Sequence, residues 1–186
     1  MVGLCTLRCT SDNFMDLELV TGLSLTHRKA LFEGDADPWR TGTTLRDFPT
    51  RKLEGYILAR IGEILVGCFG ILQHVCTLNG QVETISGFGC FYVTRELRGT
   101  GIGEAFHPRA VEFLRQIYPA ACGMMGFCQP ALQFYYTRLG AEIVQCPVSL
   151  KCGDGRLASI PQVTIWWPFE ERVRNIQSLV LRSYRW

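Results

Sequence analysis

The residues best suited to chemistry lie in one run, Gly89-Cys90-Phe91-Tyr92-Val93-Thr94-Arg95-Glu96-Leu97-Arg98-Gly99-Thr100-Gly101-Ile102-Gly103. A hydrophobic, strand-like stretch ends there in three glycines at alternate positions, introduced by Arg98 and succeeded by a helix-like segment. Glycines let the backbone bend tightly and approach a ligand closely. Their N–H groups, with the positive end of the adjoining helix, form a nest for phosphate oxygens. Arg98 adds a positive charge. The bland alternative is a tight strand-to-helix turn that holds no ligand.

Two common phosphate-binding patterns fit poorly. A P-loop needs Gly-Lys-Ser/Thr to reach terminal phosphates, and here Gly103 is followed by Glu104-Ala105. A dinucleotide fold places its glycine turn after the first strand of a parallel unit, with an acidic residue about 20 positions later. This turn comes at mid-chain, behind runs that read as an antiparallel meander.

The elements that must position the turn are legible in outline. Leu4 to Cys9 reads as a first strand, and Ser11 to Phe32 as a helix with Ser11 or Asp12 as N-cap. Residues 33 to about 49 form an irregular stretch. Glu54 to Arg60, Ile64 to Cys76 and Val82 to Val93 read as strands, separated by the turn dipeptides Gly62-Glu63 and Asn79-Gly80. Gly101 to Gln116 has helical spacing, with a kink expected at Pro108. Ala121 to Cys128 reads as a strand and Pro130 to Leu139 as a short helix opened by its proline. Glu142 to Leu150 and Gln162 to Trp167 read as further strands. The fold class is mixed α/β (α+β): a central, mostly antiparallel sheet flanked by helices. No linker or repeat divides residues 1–186, which read as one domain.

The glycine loop and the segment around residues 129–140 resemble the GCN5-related N-acetyltransferase superfamily. Arg98-Gly99-Thr100-Gly101-Ile102-Gly103 is similar to that family's Arg/Gln-x-x-Gly-x-Gly/Ala pyrophosphate loop. Gln129-Pro130-Ala131-Leu132-Gln133-Phe134-Tyr135-Tyr136-Thr137-Arg138-Leu139-Gly140 resembles the helix with a tyrosine four residues before a glycine. The resemblance covers Glu54 to Leu150 and implies acetyl-CoA as cosubstrate. Phe91, Tyr92 and Val93 would then offer backbone groups to the pantetheine arm. Arg98, Gly99, Thr100, Gly101, Ile102, Gly103 and the helix start at Glu104 would hold the pyrophosphate. Gln129 stands where relatives have a pantetheine-binding Asn, and Tyr136 would protonate the departing thiolate.

The reaction also requires a base. An ammonium must lose a proton before its nitrogen attacks a thioester. Many relatives carry a Glu on the strand before the loop, but alignment puts that role near Gly87 or Gly89. Glu83, farther along the same run, is the carboxylate assigned the role, with His74 on the neighbouring strand as a second candidate. His107 is given none. An acetyl-enzyme on Cys90 would need a His and Asp placed to activate it, which the sequence does not suggest.

Composition narrows the partners. Hydrophobic residues make up 47% and charged residues 19%, which excludes a disordered chain. A net charge of +2, from 19 basic and 17 acidic residues, gives no long-range field toward nucleic acid or membrane. No membrane-spanning run or secretory signal is evident, so a cytoplasmic location is expected. Nine cysteines without a C-x-x-C pair read as reduced core residues, and no metal is expected.

The expected activity is acetyl transfer to a primary amine of a small molecule. Aminoglycoside 2′-N-acetyltransferases share the family's loop, and some end in a tryptophan whose carboxylate contacts the drug. This chain ends Arg185-Trp186. Asp35, Asp37 and Trp186 are therefore assigned to acceptor binding. So few carboxylates suit an acceptor with few amines, such as kasugamycin, better than a polyamine. Acylation of a protein or aminoacyl-tRNA amine, and a non-catalytic CoA-binding module, are the alternatives. Val163 to Trp167 reads either as a subunit interface, implying a homodimer, or as a core strand.

Overall fold

Alternating side chains and turn residues set most of the strands, and three elements carry the chain between its two compact units. A computed structural model describes residues 8–9, 15–35, 53–152 and 154–182. The described residues within Met1–Ile71 and Gly89–Ala110 form one unit, and those within Leu72–Phe88 and Val111–Trp186 the other. The chain passes between them within continuous elements.

In the first unit β1 (Arg8–Cys9), β2 (Asp16–Val20), β3 (Gly55–Ile61) and the start of β4 (Ile64–Leu78) pair antiparallel in sequence order. The helix expected over Ser11 to Phe32 is corrected. Asp16 to Val20 is a strand, and only α1 (Leu25–Phe32) is helical. Asp16-Leu17-Glu18 alternates, with Leu17 buried and Asp16 exposed, and antiparallel pairing to β3 satisfies its backbone. Ser24 caps α1, its hydroxyl accepting from the His27 amide at 3.1 Å. The helix packs Leu31 and Phe32 into a cluster with Leu23, Tyr56, Leu58, Cys68, Cys90 and Tyr92.

The end of β5 (Gln81–Val93) and the first turns of α2 (Ile102–Ile117) complete this unit. α2 continues through Pro108, whose missing donor would otherwise bond the Glu104 carbonyl. On β5, Phe91 and Tyr92 point to opposite faces. Phe91 meets Phe69, Phe106 and His107, whereas Tyr92 sits edge-on to Phe32 with ring centroids 4.6 Å apart.

The second unit holds β6 (Gly123–Cys128), α3 (Gln133–Arg138), β7 (Glu142–Ile143), β8 (Val148–Lys151), β9 (Leu157–Ser159), β10 (Val163–Pro168) and β11 (Leu179–Leu181). β6 runs parallel to β5 through Ser86 and Gly87, and antiparallel to β10, which also pairs with β7. β11 lies between the end of β4 and β8, parallel to β8. The strand expected over Glu142 to Leu150 is thus two, separated by a segment that contains Pro147.

β10 resolves the alternative posed by its aromatics. Thr164, Ile165, Trp166 and Trp167 are buried between β6 and β7, so the strand is core and supplies no argument for a dimer. The Trp166 ring lies over Gly123, where a Cβ would collide with it, and its Nε1 donates to the Val173 carbonyl at 3.0 Å.

Candidate functional site

The strand-to-helix turn takes a defined course. The Thr94 amide donates to the Val66 carbonyl at 3.0 Å, and Arg95–Leu97 forms a single 3-10 turn. The Thr100 hydroxyl donates to the Leu97 carbonyl at 2.7 Å, and the chain then enters α2. Gly99 and Gly101 have φ of +78° and +88°, and a Cβ at either would meet nothing within 4 Å. Backbone handedness, rather than crowding, therefore requires glycine at these two positions.

The Ala105 amide bonds back to the Gly101 carbonyl at 3.0 Å. Ile102, Gly103 and Glu104 form the first turn of α2, where backbone N–H groups point outward along the helix axis. They form the donor end of a sixteen-residue helix, where partial positive charge favours an anion.

Arg98 is held by three contacts. Its Nε donates to the Val93 carbonyl at 3.1 Å, its Nη2 pairs with Asp35 Oδ2 at 2.6 Å, and its guanidinium carbon lies 4.9 Å from the centre of the Tyr92 ring. The Tyr92 hydroxyl donates to the same Asp35 oxygen at 3.0 Å. Burial first, and this bond to Asp35 second, push the Tyr92 phenol above its ordinary range. Asp35, expected to face an acceptor amine, thus has its carboxylate engaged inside the protein. Asp37 and Trp186, the other acceptor-binding candidates, lie outside the described residues.

Tyr136 sits on α3, buried in an aromatic cluster with ring centroids 5.7 Å from Phe88, 5.2 Å from Tyr135 and 6.0 Å from Trp167. Gly140, at φ +88°, ends this segment, and the Trp167 Nε1 donates to the Leu139 carbonyl at 3.2 Å. Gln129 is exposed at the start of the 3-10 turn Pro130–Leu132 that leads into α3. A cavity of about 360 Å³ opens at the start of α3, lined by Gln133, Gln145, Gln162 and Thr164 among apolar residues and by no charged side chain.

Glu83, His74 and His107 lie in different environments. Arg172 grips both carboxylate oxygens of Glu83, and its hydrogen bonds hold that carboxyl below the usual range. A base for an ammonium needs the opposite shift. His74 is buried in β4. His107 is buried against Phe69 and Phe91, and burial pushes its imidazole down to about 3. Cys90 is buried in the core cluster and hydrogen-bonded to Cys68, which raises the Cys68 thiol.

Two placements had no warning in the sequence. Asp35 and Arg98 are 63 positions apart, and Glu83 and Arg172 are 89 apart. Opposite charges so distant pair only through the fold. Among the described residues no cluster of His, Cys, Asp or Glu could hold a metal ion, and no helix is long and apolar enough to cross a membrane.

No protein-family model and no curated protein sequence matches this chain. Solved structures do. Escherichia coli ElaA matches with a TM-score of 0.52 at 18% identity, covering 82% of this chain and 99% of that one. The ribosomal-protein-S18-alanine N-acetyltransferase from Escherichia coli matches with a TM-score of 0.53 at 13% identity, covering 86% and 97%. At such identities the likeness is one of fold, a mixed α/β fold shared with both structures. A bacterial toxin matches more loosely, with a TM-score of 0.47 at 12% identity over 61% of this chain. This chain spans 66% of the toxin's length, just under two thirds.

Proposed function

We propose that the protein binds acetyl-CoA at the turn from Arg98 to Glu104 and transfers its acetyl group to a primary amine of a small molecule. One observation carries this reading. β5 delivers the chain, through two glycines of positive φ, directly onto the donor end of α2. A pyrophosphate carries the negative charge that such an end accepts.

The chemistry is direct attack in a ternary complex. The amine loses a proton to a base or to water, and its nitrogen adds to the thioester carbonyl. The C–S bond then breaks, and Tyr136 supplies the proton that the departing thiolate takes up. Phe91 to Val93 and Gln129 serve the pantetheine arm in this proposal, as the family resemblance implies.

The narrower acceptor is an aminoglycoside-type antibiotic with few amines, such as kasugamycin. The engagement of the Asp35 carboxylate by Arg98 and Tyr92 supports few charges over many, because that carboxylate is not open to pair with an ammonium. Thiol release from acetyl-CoA with kasugamycin, a polyamine aminoglycoside and simple amines tests both levels. Turnover of any amine establishes the acetyltransferase, and turnover of kasugamycin above the polyamine establishes the narrower acceptor. No turnover of kasugamycin removes it.

A second reading, a CoA-binding module without catalysis, is favoured by the engagement of Glu83 with Arg172 and by glycine at positions 87 and 89. CoA binding without turnover of any amine would establish it.

A further inference from the structure

The described part of the first unit contains an acidic residue beside the proposed anion site, an arrangement that simple electrostatics would disfavour. Asp35 lies just beyond α1, its amide donating to the Phe32 carbonyl at 3.0 Å. Its side chain is little exposed, at 11%. One oxygen accepts from both Arg98 Nη2 and the Tyr92 hydroxyl. A second arginine of the same turn, Arg95, donates from Nη1 to the Gly34 carbonyl at 3.2 Å. Two arginines three residues apart therefore grasp Gly34 and Asp35, one through the backbone and one through the carboxylate.

We propose that Asp35 is a positioning residue for cofactor binding: it fixes Arg98 against Tyr92 and Val93, so that the turn at Gly99 to Gly101 keeps its anion-binding shape before a ligand arrives. The proposal rests on the acetyl-CoA reading and assigns Asp35 a place within it other than acceptor binding. Charge and geometry pull in opposite directions here. As a bare charge, Asp35 repels a pyrophosphate and cancels Arg98. As an anchor, it removes freedom from a glycine-containing turn that would otherwise lose that freedom on binding. The charge-assisted bond at 2.6 Å, the second donor from Tyr92 and the low exposure favour the anchor.

The two effects predict opposite signs. CoA binding to the intact protein is measured by calorimetry for wild type, Asp35→Ala, Asp35→Asn, Arg98→Ala and the double Ala variant, with thermal melts of each. Asp35→Ala is expected to weaken CoA about 10-fold, the weight of one charge-assisted hydrogen bond. Asp35→Asn, which keeps an acceptor oxygen for Tyr92, should lose less, and it serves if the Ala variant fails to fold. The double variant should bind no more weakly than Arg98→Ala alone, because both changes release the same side chain. In turnover, the KM for acetyl-CoA should rise while kcat at saturation stays within about 2-fold. Wild-type or tighter CoA binding by either Asp35 variant, or additive losses in the double variant, would overturn the positioning role alone. Failure of wild type to bind CoA would overturn the cofactor reading and this proposal with it.

Discussion

Arg172 holds both carboxylate oxygens of Glu83, 89 residues earlier, while its Nε donates to Glu170 at 2.6 Å. The guanidinium stabilises the ionised carboxylate, so Glu83 gives up its proton more readily than an ordinary Glu. A group so arranged is a poor acceptor for the proton of an ammonium. Glu83→Gln is therefore expected to leave kcat within about 2-fold of wild type, against the 100-fold or greater loss expected for an essential base. Steady-state kinetics with any accepted amine distinguish the two, and a loss of that larger size would restore Glu83 as the base.

Gly101→Asp should abolish CoA binding while leaving a folded protein. At φ +88° an L side chain costs about 1–2 kcal/mol, which the fold tolerates because the space around Gly101 is open. The added carboxylate, one residue before the start of α2, opposes a pyrophosphate directly. Calorimetry with CoA and a thermal melt check both halves, and unchanged affinity would remove the turn from the site.

Tyr136→Phe removes one hydroxyl and keeps the ring that packs on Phe88 and Trp167. If Tyr136 protonates the thiolate, kcat should fall about 100-fold or more while the KM for acetyl-CoA changes little. Retained kcat would assign that proton to solvent or another group.

His107 makes stability depend on pH. Its imidazole, ordinarily near 6.5, is pushed down to about 3 by burial, so it stays neutral in the folded state and charges on unfolding. The unfolded chain binds more protons between these values, and stability falls as pH falls. The contribution is complete above 6.5 and is lost by about 1.4 kcal/mol per pH unit below it, until the folded value is reached. Urea unfolding at pH 7 and pH 5 should show a smaller loss for His107→Leu than for wild type, by about 2 kcal/mol. Equal losses would mean that the imidazole is protonated in place.

The turn and the meander were legible because their signals are local. Glycines at 99 and 101 announce a change of backbone handedness, and Asn79-Gly80 joins two strands with φ of 50° and 82°. Residues 16–20 show the limit of local signals. Leu17, Leu19 and Leu23 can be fitted to a helix, but the period-two pattern prevailed once β3 offered a partner for every residue of β2. The tail was less legible still. β11 is only three residues long, and its position depends on Asn79, whose side chain donates to the Asn175 carbonyl and accepts from the Gln177 and Ser178 amides.

By itself the sequence determined the mixed α/β class and the strand–turn–helix that could receive a pyrophosphate, because strand period, turn residues and helix starts are written in neighbouring positions. Only the tertiary structure decided what the charged side chains do. That Asp35 pairs with Arg98 and Glu83 with Arg172 depends on which distant residue the fold brings within about 3 Å. The energy of a charge is set by that neighbour and by its loss of water, and neither is recorded in the order of the residues.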